Sequence, residues 1–221
     1  MEEASEQLSQ ALYVSDRLYA RRGTTVDARI GPVAKRRASK MEVGAEPDHT
    51  TLRHVLIVGG SLADWHALTA QQWVALRAQL AAIVAQAGAM WLTIRPYSRG
   101  AGDTVEMQRS IDLRDGCTVT VDPCADGQQR LLNAIDQLRD AGVTEVNEAA
   151  IAAVLMAPAP AEPDLAVVLG PSTQLPESLV WDLAYSELVF VDTTFQRFGA
   201  VELQLAIDEF SRRHRRFGGV T

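Results

Sequence analysis

The sequence predicts an α/β fold in which a central, mostly parallel sheet is flanked by helices. Three observations carry this. Val55-Leu56-Ile57-Val58 and Leu165-Ala166-Val167-Val168-Leu169 are unbroken apolar runs rich in β-branched residues, as expected of strands buried on both faces. Segments with helical apolar spacing stand between such runs, and glycine or proline punctuates the joins.

The elements follow in chain order. Leu8, Leu12, Val14, Leu18 and Tyr19 predict an amphipathic helix over residues 5–22, ending at Gly23. From there to His49 the chain is polar, basic and broken by Gly31, Pro32, Gly44 and Pro47, which reads as a linker. Residues 1–50 are therefore set apart as helix and linker, and residues 51–221 as the folded domain. The first strand is Leu52 to Val58, stopped by Gly59-Gly60. Thr69 caps a helix whose apolar face is Trp73, Leu76, Leu80, Ile83 and Val84, closed by Gly88. Met90 to Ile94 is the second strand, completing a βαβ unit with a right-handed crossover expected. A polar stretch then leads to a third strand at Cys117–Val121. Helices are expected over Leu131–Ala141 and Glu148–Leu155, the latter stopped by Pro158 and Pro160. A fourth strand at Leu165–Leu169, a helix over Leu175–Ala184, a fifth strand at Leu188–Asp192 and a closing helix over Ala200–Arg215 complete the domain.

Composition narrows the function. With 221 residues, 47% hydrophobic and 22% charged, the chain is of ordinary globular type. A formal net charge of −7 argues against nucleic acid, whose binding needs a positive field. Basic residues nevertheless concentrate in two places: eight Lys or Arg lie between Arg17 and Lys40, and four Arg fall within Arg212–Arg216. Either is a solvated face or a contact for phosphate or anionic lipid. Cys117 and Cys124 match no zinc or redox spacing, which favours a reducing cytoplasm. The acidic N-terminus is unlike a signal peptide, and no apolar run approaches a membrane span, so a cytoplasmic protein is expected, with peripheral membrane contact left open.

Motifs with chemistry are few. Gly59-Gly60-Ser61, at a strand-to-helix turn, offers either a phosphate cradle or simply a tight turn that needs glycine. Asp122, Asp126 and Glu187 fall at element ends, where acids hold a divalent ion or are merely solvated.

The last third is more specific. Asp164, then Leu179, Trp181, Ala184, Tyr185, Glu187, Leu188 and Phe190, then Asp192, Phe198 and Arg213 to Gly219 stand in an order that resembles the cis-prenyltransferases, the undecaprenyl and dehydrodolichyl diphosphate synthase family. A fainter match runs through Arg53-His54-Val55 to Trp65, Leu92-Thr93 and Gly127 to Leu138. The resemblance implies that family's fold, and an activity that condenses isopentenyl diphosphate with an allylic diphosphate. It also implies that Trp181, Ala184, Tyr185, Glu187, Leu188 and Phe190 form a dimer interface. The Arg216-Phe217-Gly218-Gly219 tail would then reach isopentenyl diphosphate in the partner's active site.

The family's catalytic positions are degenerate here. The Mg2+-binding Asp falls on Gly60, and the phosphate-gripping Arg of the same motif on Asp64. The second motif's two arginines and serine fall on Val168, Gln174 and Pro176. Glycine offers a metal no side chain, and Asp repels the phosphate an Arg would hold. The interval from Ser98 to Cys117 also leaves no room for the family's long tunnel-wall helix and further strand. The resemblance therefore implies a catalytically silent subunit similar to the Nogo-B receptor type. It would bind no metal itself and would pair, as heterodimer or heterotetramer, with an active homologue carrying Mg2+. The alternatives are a homodimeric prenyl diphosphate enzyme using Glu187, Asp122 and Asp126, and a non-enzymatic scaffold contacting partners through its basic arm.

Overall fold

A computed structural model describes residues 51–98, 107–179, 181–184 and 186–217. The expectations for residues 1–50 lie outside the described residues. Six strands form one sheet: β1 (His54–Val58), β2 (Trp91–Arg95), β3 (Ser110–Arg114), β4 (Cys117–Val121), β5 (Leu165–Leu169) and β6 (Glu187–Val191). Their order is β3-β4-β2-β1-β5-β6, and every pairing is parallel except β3 with β4. The helices are α1 (Leu62–His66), α2 (Ala70–Gln86), α3 (Gly127–Asp140), α4 (Glu148–Met156) and α5 (Ala200–Phe217). A mostly parallel sheet with flanking helices is the architecture the sequence predicts.

Strand alternation sorts the side chains onto two faces. On one face Val55, Ile57, Leu92, Ile94, Val119, Leu165 and Val167 pack against Leu80, Ala81 and Val84 of α2 and Leu203, Ile207 and Phe210 of α5. The other face has a small apolar centre of Leu56, Val58, Ala166 and Val168 with Leu179, beside buried His54, Thr93, Arg95 and Thr120. β1 and β5 lie inside the sheet and are buried at every position, as their unbroken apolar runs require.

Local capping agrees with the sequence. Thr69 and Gln72 form a reciprocal capping box at the start of α2, and Gly88, at φ +87°, follows its end. The carboxylate of Asp164 accepts from the backbone N–H groups of Arg53 (2.7 Å) and His54 (2.9 Å), pinning the start of β1 to that of β5.

Three expectations are corrected. The polar stretch before Cys117 contains an antiparallel strand, β3, joined to β4 by Asp115 (φ +50°) and Gly116 (φ +81°). Asp-Gly is the residue pair that a two-residue hairpin turn selects, because both central positions need positive φ. The interval after Ser98 therefore does have room for a strand. The helix expected over Leu175–Ala184 is instead two 3-10 turns, Glu177–Leu179 and Asp182–Ala184. Finally, the short helix α1 stands between β1 and α2, capped by Ser61.

His54 shows how a buried polar group is accommodated on the second face. Its Nδ1–H donates to the Ala161 carbonyl (3.0 Å), which fixes the tautomer, so Nε2 accepts from the Thr93 hydroxyl (2.9 Å). Burial pushes its pKa down from 6.5 to about 4. The native state thus binds fewer protons than the unfolded chain between these values, and stability falls as pH drops from about 6.5 toward 4. Denaturant melts across that window are expected to lose about 1.4 kcal/mol per pH unit more in the wild type than in His54→Gln.

Candidate functional site at the carboxyl edge of the sheet

The loops after β1, β2, β4 and β5 gather at one edge of the sheet. In open parallel sheets ligands bind outside this edge, where the strand order reverses direction, here between β1 and β5. The turn after β1 is sterically closed. A Cβ on Gly59 would lie 2.4 Å from Leu169 Cδ1, and one on Gly60 would lie 2.8 Å from Phe195 Cβ, with Gly60 at φ +68°. Phe195 is held there by Trp65, stacked at 5.6 Å, and Trp73, at 5.8 Å. Trp65 in turn donates its indole N–H to the Gly59 carbonyl at 2.9 Å. Close packing and a left-handed backbone account for both glycines.

Three backbone donors at this turn are already paired. Gly59 N–H donates to the Arg95 carbonyl, Leu62 N–H to the Ser98 carbonyl, and Ser61 N–H to Asp64. Asp64 N–H returns to the Ser61 hydroxyl, closing a capping box. The Asp64 carboxylate also accepts from the Ser61 hydroxyl (2.8 Å) and from Gln196 Nε2 (2.6 Å). The Ser61 N–H, foremost, holds its carboxyl below the usual range. With these three donors committed and the Asp64 carboxylate beside them, the turn disfavours a phosphate electrostatically. Its donor set does not fit Mg2+ either, since its one carboxylate serves as a helix cap.

A cleft of about 490 Å³ opens next to the turn, lined by Tyr97, Ser98, Asp126, Gln174, Pro176 and Glu177 among others. None of the described lining residues is Lys or Arg, and the charged ones are acids. Gln174 and Pro176, two of the degenerate positions, are both in this wall, and the Gln174 carbonyl accepts from the Tyr97 hydroxyl at 3.1 Å. Val168, the third, is fully buried in β5 and faces the second side of the sheet. The Asp126 carboxylate accepts from the N–H groups of Gln128 and Gln129 as the cap of α3.

Behind the cleft lies a ring of four charges, three buried and one half-buried, that no local sequence pattern signalled. Arg95 Nη1 donates to Asp182 Oδ2 at 2.7 Å, and Arg130 Nη1 stands 3.6 Å from the same oxygen. Asp122 Oδ2 closes the ring at 3.2 Å from Arg130 Nε and 3.7 Å from Arg95 Nε. Burial opposes charge on Asp122, yet Arg130 and Arg95 hold its carboxyl below the usual carboxylate range. Both arginines are thereby consumed in structure.

The structure does not bring Asp122, Asp126 and Glu187 together. Asp122 follows the carboxyl end of β4, whereas Glu187 is paired with Leu165 at the opposite end of the strands. Arg213 Nη1 donates to Glu187 at 3.0 Å and to the Leu188 carbonyl at 2.9 Å. Among the described residues no three His, Cys, Asp or Glu side chains converge as metal ligands.

The expected interface residues follow the sheet edge. β6 is an edge strand; Trp181, Glu187, Leu188 and Phe190 are half-buried and Ala184 is exposed. Tyr185 lies outside the described residues. α5 carries the basic run as far as Arg216 and Phe217, and Gly218 and Gly219 lie outside the described residues.

Residues 99–218 match the family model described as "Putative undecaprenyl diphosphate synthase". The isoprenyl transferase of Neisseria gonorrhoeae is 35% identical over 103 residues, which are 47% of this chain and 42% of that protein. The chloroplastic (2Z,6Z)-farnesyl diphosphate synthase of Solanum lycopersicum is 50% identical over 60 residues, 27% of this chain and 21% of that protein. The chain thus spans less than half the length of these curated relatives. Its fold is similar to that of lavandulyl diphosphate synthase from Lavandula x intermedia, with a TM-score of 0.56 at 19% identity, over 77% of this chain and all of that one. No described helix is long and apolar enough to cross a membrane.

The packing at Gly60 sets a direct test. Gly60→Asp combines a left-handed backbone with overpacking against Phe195 and is expected to cost about 2–4 kcal/mol in urea unfolding. Gly60→Ala should show most of the same loss, since sterics rather than charge is at fault.

Proposed function

The chain belongs to the undecaprenyl diphosphate synthase family of prenyltransferases, and we propose that within it the protein is a catalytically silent subunit supporting polyprenyl diphosphate synthesis. It pairs with an active homologue through Trp181, Ala184, Tyr185, Glu187, Leu188 and Phe190. Its Arg216-Phe217-Gly218-Gly219 tail completes the partner's isopentenyl diphosphate site. The partner supplies the carboxylate for Mg2+ and the allylic diphosphate site.

One observation carries the proposal. The residue aligned with the family's metal-binding Asp is a glycine at positive φ whose Cβ position is occupied by Phe195. Three further features support it. The side chain aligned with the phosphate-gripping Arg is Asp64, which caps α1. The described walls of the cleft carry no cation to meet a diphosphate. The basic run at the end of α5 begins beside β6, where Arg213 ties the helix to Glu187 and the Leu188 carbonyl of the proposed interface. Arg216 can grip a diphosphate bidentately, and the glycines after Phe217 allow close backbone approach.

The test compares the purified chain alone, a cis-prenyltransferase homologue alone and their mixture, by incorporation of labelled isopentenyl diphosphate. No turnover by the chain alone and a gain over the homologue in the mixture are expected; robust synthesis by the chain alone would overturn the proposal. Within an active mixture, Arg216→Ala should leave the heteromer intact in size-exclusion chromatography. It should raise the KM for isopentenyl diphosphate about tenfold, the loss of one charge-assisted contact.

A further inference from the structure

The segment joining β5 to β6, residues 170–186, has to bridge two adjacent parallel strands, and among its described residues only two 3-10 turns are regular. Its amino-terminal part, Gln174 to Glu177, forms a wall of the cleft. Its carboxyl-terminal part, from Trp181, belongs to the proposed interface. At the start of that second part stands Asp182, fully buried and bonded to Arg95 of β2 and Arg130 of α3. Arg130 Nη1 also donates to the Ser178 carbonyl at 3.3 Å, so the same guanidinium holds both 3-10 turns. Leu179, buried in the second-face cluster, is the apolar anchor beside it.

We infer that Asp182 is a positioning residue that couples the partner-facing surface to the cleft wall, making residues 174–179 and 181–184 open and close as one unit. This rests on the reading of Trp181 to Phe190 as the interface. The reason is electrostatic. Withdrawing Asp182 strands two guanidiniums, of Arg95 and Arg130, whose side chains are 1% and 5% exposed, with only Asp122 left to face them. An opening that withdraws Asp182 while Ser178 and Leu179 stay in place is therefore disfavoured, because it leaves the two guanidiniums both unpaired and shielded from water, whereas opening of the whole stretch lets water reach them. A partner that binds only the closed segment must then raise the opening free energy of all of it, including cleft residues the partner does not touch. Tyr97, by contrast, holds only one end, through its exposed hydrogen bond to the Gln174 carbonyl.

Hydrogen exchange followed by mass spectrometry tests this on the full chain, with and without a saturating active homologue. In the wild type the homologue is expected to slow exchange at least tenfold over residues 174–179 as well as over 186–190. In Asp182→Asn it should slow only the latter, while Tyr97→Phe keeps the wild-type pattern. A homologue that binds the wild type without slowing 174–179 overturns the inference even if Asp182→Asn does not fold. If no homologue binds, the proposed function fails separately, and the chain alone decides the coupling. There Asp182→Asn must speed exchange over 174–179 and 182–187 together, with β1 and α2 unchanged, and acceleration confined to the second stretch overturns it.

Discussion

The end of β1 admits no side chain. Leu169 from β5 occupies the space beside Gly59, and Phe195, held by Trp65 and Trp73, occupies the space beside Gly60. Much of the carboxyl edge follows from that crowding. With the backbone drawn in this tightly, the Gly60 carbonyl receives the Tyr97 N–H at 2.7 Å and Leu62 N–H reaches Ser98, so the loops after β1 and β2 are bonded to each other. The cleft then opens to one side of the turn, and its wall comes from the segment after β5.

The fold of this chain and its carboxyl edge draw on different residues. The core is carried by β1, β5, α2 and α5, whose contacts are apolar and indifferent to the identity of residue 64 or 174. Polar groups at this edge serve structure: Asp64 in the capping box of α1, Asp126 as the cap of α3, Asp122 and Asp182 as counter-ions. Each such commitment stabilises the turn or loop that holds it and removes a group that chemistry could use.

What could be read from the sequence follows the range of the interaction. The capping box at Thr69, the doubly buried β5 and the stop at Gly88 are local, and they stand where the residues predict. The hairpin turn at Asp115-Gly116 is equally local, but its flanking strand gives a weak signal, being only five residues long and alternating Ile111 and Leu113 with polar residues. Residues 175–184 have helical composition, but Pro176 and the demand that Asp182 point inward to Arg95 break them into 3-10 turns. The losses at Gly60 and Asp64 were legible by position. Their physical enforcement by Phe195 and Gln196 was not, because those contacts span more than a hundred residues.

β3 closes one side of the sheet, and its composition bears on how the molecule behaves in a crowded solution. Its Asp112 is paired with Arg77 of α2 and lies 3.8 Å from Arg114, so charges sit over the sheet beside an otherwise open strand. Edge strands that are short and carry such charges resist edge-to-edge annealing with other chains. The two borders of the sheet thus differ: β3 is guarded against aggregation by its charges, whereas β6 at the opposite border carries the half-buried Leu188 and Phe190.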